Sequence, residues 1–328
     1  MDGYQGLDVV EKSLLPTPTH PSVRRGLLVL GMSRSGTSVL THVLHALGAA
    51  LPRDLMGEAH GNPLGHFEPR ELVALNDRIL ESIDRRWNDP RPIAPQWFRS
   101  RSAYRFLRAV TTQLRQSYGE ASLLVLKDPR LCRLLPLYLD ALDTLDIEPL
   151  VILQVRPMQE VVQSLVERDG MQPELAEFLW LRSVVEAEWQ SRDCRRVWVS
   201  MAEILSDWPG TIRRIADGLR LEWPESAMTE IGSLLKPRQR HHIAPSAYDP
   251  AGVRRFSAMA WSAIEHGLGG EERAARAGFD AVRDALQDFD RMYQPALAAL
   301  AARRHWLPRR LIGPLRALQH TLRDALTR

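Results

Sequence analysis

A chain of 328 residues, 45% hydrophobic and 25% charged, is long enough to bury one large core and has the composition to do so. Its 43 Lys and Arg against 40 Asp and Glu leave a formal charge of +3, which excludes the concentrated basic face of a nucleic-acid binder and makes any anion site local. Two cysteines, Cys132 and Cys194, without C-x-x-C spacing, exclude a disulfide framework and a cysteine zinc site.

In chain order, residues 1–25 read as a loose leader with Pro16, Pro18 and Pro21. They carry an early acid and no apolar core of signal-peptide length, and no later run reaches the ~20 apolar residues of a membrane span. A soluble, cytoplasmic protein is expected.

Gly26–Gly31 is a short apolar run, the pattern of a fully buried strand. Similar runs follow at Ser122–Lys127, Leu150–Val155 and Val197–Ser200. Helix-like spacing lies between and after them at Thr37–Leu47, Arg70–Ile83, Ser102–Tyr118, Pro157–Glu167, Leu175–Gln190 and Pro209–Leu219. This alternation predicts an α/β fold of three layers, a parallel sheet flanked by helices, over residues 26–245. Residues 246–328 follow the basic cluster Lys236–His242 and become rich in Ala, Arg and Leu. They predict a helical C-terminal extension, broken at Pro295, Pro308 and Pro314, packed on the main domain or used for a partner.

Three segments at strand ends carry chemistry. Gly31-Met-Ser-Arg-Ser-Gly-Thr-Ser38 joins the first strand to a helix, so backbone N–H groups and the helix dipole can hold an anion. Gly36 permits close approach of a phosphate; Ser35, Thr37 and Ser38 add hydroxyls, and Arg34 adds a charge. The Gly-x4-Gly spacing matches a P-loop, but Thr37 stands where that motif requires Lys, which counts against an atypical P-loop NTPase or kinase. Leu126-Lys127-Asp128-Pro129-Arg130 ends a second strand, with Pro129 keeping Lys127 and Asp128 in an extended turn. Arg156-Pro157 ends a third, and Ser164 follows about two turns into the next helix. All three lie at the strand ends where open α/β sheets bind ligands.

Arg34-Ser-Gly-Thr37 after a buried strand resembles the 5′-phosphosulfate loop of sulfotransferases that use 3′-phosphoadenosine-5′-phosphosulfate (PAPS), in the bacterial and tyrosylprotein-like branch. Arg156 and Ser164 have the spacing of that superfamily's 3′-phosphate motif, and Lys127-Asp128-Pro129 recurs in the same branch. The likeness spans roughly residues 25–245 and includes Asn62-Pro63-x-Gly65-x-Phe67-Glu68, Leu72-x-x-Leu75-Asn76-Asp77, Trp87 and Asp89-Pro90. The Arg-Lys-Gly ending of cytosolic members is missing.

What the resemblance implies is sulfuryl transfer to a hydroxyl of a carbohydrate or glycolipid acceptor, with no metal. Arg34, Ser35, Gly36, Thr37 and Ser38 would hold the 5′-phosphosulfate, and Arg156 and Ser164 the 3′-phosphate. Lys127 would stabilise charge on the bridging oxygen. A hydroxyl nucleophile needs a base, and Gly57–Arg70 offers Glu68 and Glu58, with His60 and His66 as loop-structuring or acceptor-contacting groups. Spacing leaves Glu68 and Glu58 open. A non-catalytic nucleotide-binding protein would bind the donor without an essential carboxylate. Arg303–Ile312 mixes cations with apolar anchors, a pattern of peripheral membrane contact or of a helix packed on the domain.

Overall fold

The structure, a computed structural model, describes residues 23–57, 65–224, 231 and 253–304, the side chains of 253–254 and 294–304 excepted. Four strands, β1 (Arg24–Leu30), β2 (Leu123–Lys127), β3 (Ile147–Val155) and β4 (Arg195–Ser200), form one parallel sheet in the order β2-β1-β3-β4. The register places Val29 beside both Lys127 and Ile152, and Val155 beside Ser200. The carboxyl ends of all four strands therefore meet at one edge, with β1 in the middle.

Side chains on a strand alternate between faces, and the core divides accordingly. Leu27, Val29, Leu150 and Ile152 pack with α1 (Thr37–Ala46), α7 (Met201–Ser206) and α8 (Trp208–Leu219) on one face. Leu28, Leu30, Val151 and Leu153 pack on the other with α2 (Arg70–Ser82), α3 (Arg101–Tyr118), α4 (Leu131–Asp143), α5 (Met158–Asp169) and α6 (Pro173–Gln190). This is the three-layer α/β fold expected from the alternation of strand and helix patterns.

Helix α4 has no counterpart among the predicted elements. It contains Pro136, which removes one intrahelical hydrogen bond, yet Leu131, Cys132, Leu134, Leu135, Leu137 and Tyr138 are all buried around it. Burial of these side chains outweighs the missing bond, while Pro136 interrupts the run at the point where the sequence would be read as a helix.

Two more helices follow, α9 (Val253–Leu268) and α10 (Glu272–Arg304). Ala260, Ile264, Phe279, Val282 and Leu286 belong to the same apolar cluster as Leu28 and Leu30. Phe279 stacks on Trp198 of β4, centroids 5.5 Å apart. Arg182 of α6 donates to both carboxylate oxygens of Asp290 on α10, at 2.9 and 2.6 Å. The backbone of α10 runs on through Pro295, so that proline does not end the helix as expected. Pro308, Pro314, Lys236–His242 and His305–Ile312 lie outside the described residues.

No helix among the described residues is long and apolar enough to cross a membrane.

Candidate active site

The turn between β1 and α1 is shaped by what cannot fit into it. A Cβ on Gly31 would lie 2.6 Å from the backbone oxygen of Gln154, so β3 approaches at a distance only glycine allows. Gly36 has φ 89°, and a Cβ there would sit 2.3 Å from Met201 Sδ. Arg34 also has a positive φ, 73°.

Strand β3 fixes the turn from the side. Gln154 Nε2 donates to Ser35 O at 3.1 Å, and Arg156 Nη1 donates to Arg34 O at 3.1 Å. Two carbonyls are thereby turned inward. Helix α1 begins at Thr37 with no side-chain cap and no acid in its first turn, the condition in which a helix N-terminus accepts an anion. Ser35 and Thr37 are buried under the turn, whereas Arg34, Gly36 and Ser38 stay partly accessible.

The two candidate phosphate sites are joined in space. Arg34 Nε donates to Ser164 Oγ at 2.8 Å, from the turn to α5, 130 residues apart in the chain. Arg156, between β3 and α5, forms a buried pair with Glu160 in the first turn of α5, 2.8 Å apart. Burial lowers the affinity of the Arg34 guanidinium for its proton, and Arg168 and Arg156 nearby lower it further. Three cations thus gather here, with Arg156 paired to Glu160 and Arg168 to Asp169.

Lys127 ends β2 with its ammonium group surrounded by oxygens. Nζ donates to Glu68 Oε1 at 2.5 Å, to His66 O at 2.9 Å and to Ser38 Oγ at 3.2 Å. Glu68 is buried; desolvation pushes its carboxyl above the ordinary value, and the Lys127 charge draws it back without cancelling the rise. Burial, then the charges of Lys127, Arg168 and Arg34, lower His66 and favour its neutral imidazole. Ser38 lies at the start of α1, directly after the β1–α1 turn, so helix start, lysine and carboxylate form one hydrogen-bonded chain.

Asp128 does not face Lys127 in any hydrogen bond described. It accepts from Asn76 Nδ2 at 2.8 Å and from the Arg130 backbone and guanidinium at 2.9 and 3.0 Å. Arg130 is also gripped by Asp77, at 2.7 and 3.2 Å, and Asn76 accepts from Tyr138 Oη at 2.8 Å. Asn76 is fully buried in an otherwise apolar stripe with Leu72, Leu75 and Ile79, and that misplaced polar residue is the sequence signal for its role. Gln154 and Tyr138 carry no such signal.

An open cleft of about 190 Å³ adjoins Glu68. Met32, Met56, Val73, Leu80 and Trp87 line its apolar part, and His66, Arg130 and Arg168 its polar part. Glu58 and His60 lie outside the described residues. Among the described residues, no three His, Cys, Asp or Glu side chains converge as a metal site requires.

No protein-family model and no curated protein matches the sequence. Solved structures do, and several of them are sulfotransferases. The sulfotransferase domain of a Synechococcus olefin synthase is 20% identical, with a TM-score of 0.43, and the match covers 75% of this chain and 96% of that one. The sulfotransferase domain from the curacin biosynthetic pathway is 13% identical, TM-score 0.41, over 74% and 99% of the two chains. A Mycobacterium tuberculosis sulfotransferase is 15% identical, TM-score 0.40, over 76% and 77%. Backbone likeness of this degree does not assign chemistry, which has to come from the side chains of this site.

Proposed function

We propose that the chain is a sulfotransferase that moves a sulfuryl group from PAPS to an acceptor hydroxyl. The observation that carries this is the continuous chain from the anion-binding turn through Ser38 and Lys127 to Glu68. It joins the start of α1 to a buried carboxylate through one ammonium group.

The residues present fit the donor. Gly31 and Gly36 let Gln154 and Met201 pack directly against the turn, and the start of α1 has no side-chain cap to compete with an anion. Arg34 and the α1 N-terminus would hold the 5′-phosphosulfate, while Ser164 and Arg156 would hold the 3′-phosphate. PAPS supplies an activated sulfuryl group and leaves as the 3′,5′-bisphosphate.

Glu68 takes the proton of the acceptor hydroxyl, whose oxygen forms the new bond to sulfur. Lys127 and Arg34 place positive charge at the oxygen of the bond that breaks, and fixed charges of this kind are usually the largest catalytic contribution. The acceptor enters by the cleft beside Glu68. Its walls of Met32, Met56, Val73, Leu80 and Trp87 support a glycolipid, whose apolar part they would cover, over a bare carbohydrate. The work takes place in the cytoplasm.

Nothing in the site favours an NTPase, because Thr37, at the position of the P-loop lysine, is a buried neutral side chain. The deciding experiment is calorimetric titration with 3′-phosphoadenosine-5′-phosphate, AMP and ATP in the presence of a chelator. Binding that requires the 3′-phosphate supports the proposal. Binding of ATP alone, restored by magnesium and indifferent to the 3′-phosphate, overturns it.

A further inference from the structure

Phe67 stands between two groups that hold Lys127, the His66 carbonyl before it and the Glu68 carboxylate after it. Its own backbone is left-handed, φ 53°. A bulky aromatic residue stays in that region only where its surroundings hold it there. The turn lets the residue before it and the residue after it reach a single ammonium group.

Two holds are visible. The Phe67 ring lies on the His42 imidazole, centroids 5.0 Å apart and planes 20° from parallel. On the other side, the Met56 N–H donates to Glu68 O at 2.8 Å and the Arg70 N–H donates to Asp54 O at 2.8 Å. His42 follows Ser38 by one turn of α1, so both lie on the same face of the helix. Ser38 touches Lys127 at 3.2 Å and donates to His66 O at 3.4 Å. One face of α1 therefore supports both the anion turn and the segment that carries Glu68.

We propose that Phe67 is a positioning residue, held left-handed by its stack on His42 so that the His66 carbonyl and the Glu68 carboxylate converge on Lys127. Its effect on turnover rests on the sulfuryl-transfer reading above; its effect on Lys127 can be observed without turnover.

The sequence contains three lysines, Lys12, Lys127 and Lys236, so the full-length protein labelled with ¹³C-lysine gives three ε-methylene resonances. Loss of one in Lys127→Arg identifies the Lys127 signal. Phe67→Ala, and independently His42→Ala, should move that signal toward the position of an exposed lysine. Both should leave the affinity for 3′-phosphoadenosine-5′-phosphate unchanged. Both should lower kcat by about 10- to 100-fold at constant donor KM, the usual consequence of a displaced catalytic group. Phe67→Tyr keeps the ring and should restore the resonance and the rate. A Lys127 signal unmoved in Phe67→Ala overturns the proposal, as does an equal displacement in Phe67→Tyr. A signal that moves as expected in a protein that transfers no sulfuryl group upholds the positioning and defeats the functional reading instead.

Discussion

Lys127 Nζ lies 2.5 Å from Glu68 Oε1, and the two side chains are only 4% and 8% exposed. A buried pair of this kind ties the stability of the site to its chemistry, because removing one partner strands the other charge in a poorly solvated place.

Glu68→Gln separates the two roles. The amide oxygen can still accept from Lys127, so stability should fall by less than the ~3 kcal/mol typical of breaking a buried pair. On the proposed mechanism the base is gone, so kcat should fall by about 10²–10⁴-fold while the affinity for 3′-phosphoadenosine-5′-phosphate stays the same. Steady-state kinetics beside calorimetry measures both.

On the proposed mechanism the same carboxylate sets the acid side of the pH profile. Its affinity for a proton is raised by burial, so it is protonated at higher pH than an exposed glutamate. A base works only when deprotonated, so kcat/KM should be lost as pH falls through this raised value. Stability has the opposite sense: the folded state binds the proton more tightly than the unfolded chain. The contribution to stability should therefore decline as pH rises from the ordinary carboxylate value through the raised one. A pH–rate profile whose acid limb is unchanged in Glu68→Gln would remove Glu68 from the mechanism.

Arg34 and Ser164 should behave as one unit. Arg34→Ala should abolish turnover and weaken 3′-phosphoadenosine-5′-phosphate binding, and Ser164→Ala should weaken binding less. Because the two side chains share a hydrogen bond, the double variant should differ from additivity by about 0.5–3 kcal/mol. A double-mutant cycle on ligand binding, with AMP as the reference, gives the number.

Gly31→Ala should disable the anion turn more completely than Gly36→Ala combined with Met201→Ala. At Gly31 the obstacle is the Gln154 backbone, which no side-chain truncation removes. At Gly36 shortening Met201 clears the space and leaves only the cost of a left-handed alanine, about 1–2 kcal/mol. Ligand affinity in the two variants should follow that order.

Phe279→Ala should destabilise the whole molecule by about 3–5 kcal/mol, as for a large aromatic in a close-packed core. Phe279 is 1% exposed and stacked on Trp198 of the sheet. A single denaturation transition shifted as a unit would show that α10 and the sheet unfold together.

The four strands are legible because parallel strands buried on both faces are short unbroken apolar runs, such as Leu27–Leu30 and Leu150–Leu153. Most helices announce themselves by a one-sided stripe, as Leu72, Leu75 and Ile79 do in α2. α4 carries a comparable stripe, but Pro136 in its middle reads as a helix breaker. The turn between β1 and α1 is readable from glycine spacing and its place after β1. Its partners are not, because Lys127 meets Glu68 across 59 positions and Arg34 meets Ser164 across 130. Contacts that distant arise from strand order, and a single sequence carries no local trace of the order β2-β1-β3-β4. Asp128 shows the same limit: its neighbour in sequence is Lys127, but its hydrogen-bond partners are Asn76 and Arg130.

The grip of β3 on the anion turn has a thermodynamic consequence. With Arg34 O and Ser35 O already held by Arg156 and Gln154, the loss of conformational entropy needed to shape the turn occurs during folding. A ligand arriving there meets a formed receptor and gives up only its own freedom. The turn should therefore take up phosphate-bearing ligands without a slow ordering step, at rates set by encounter and by the local positive field.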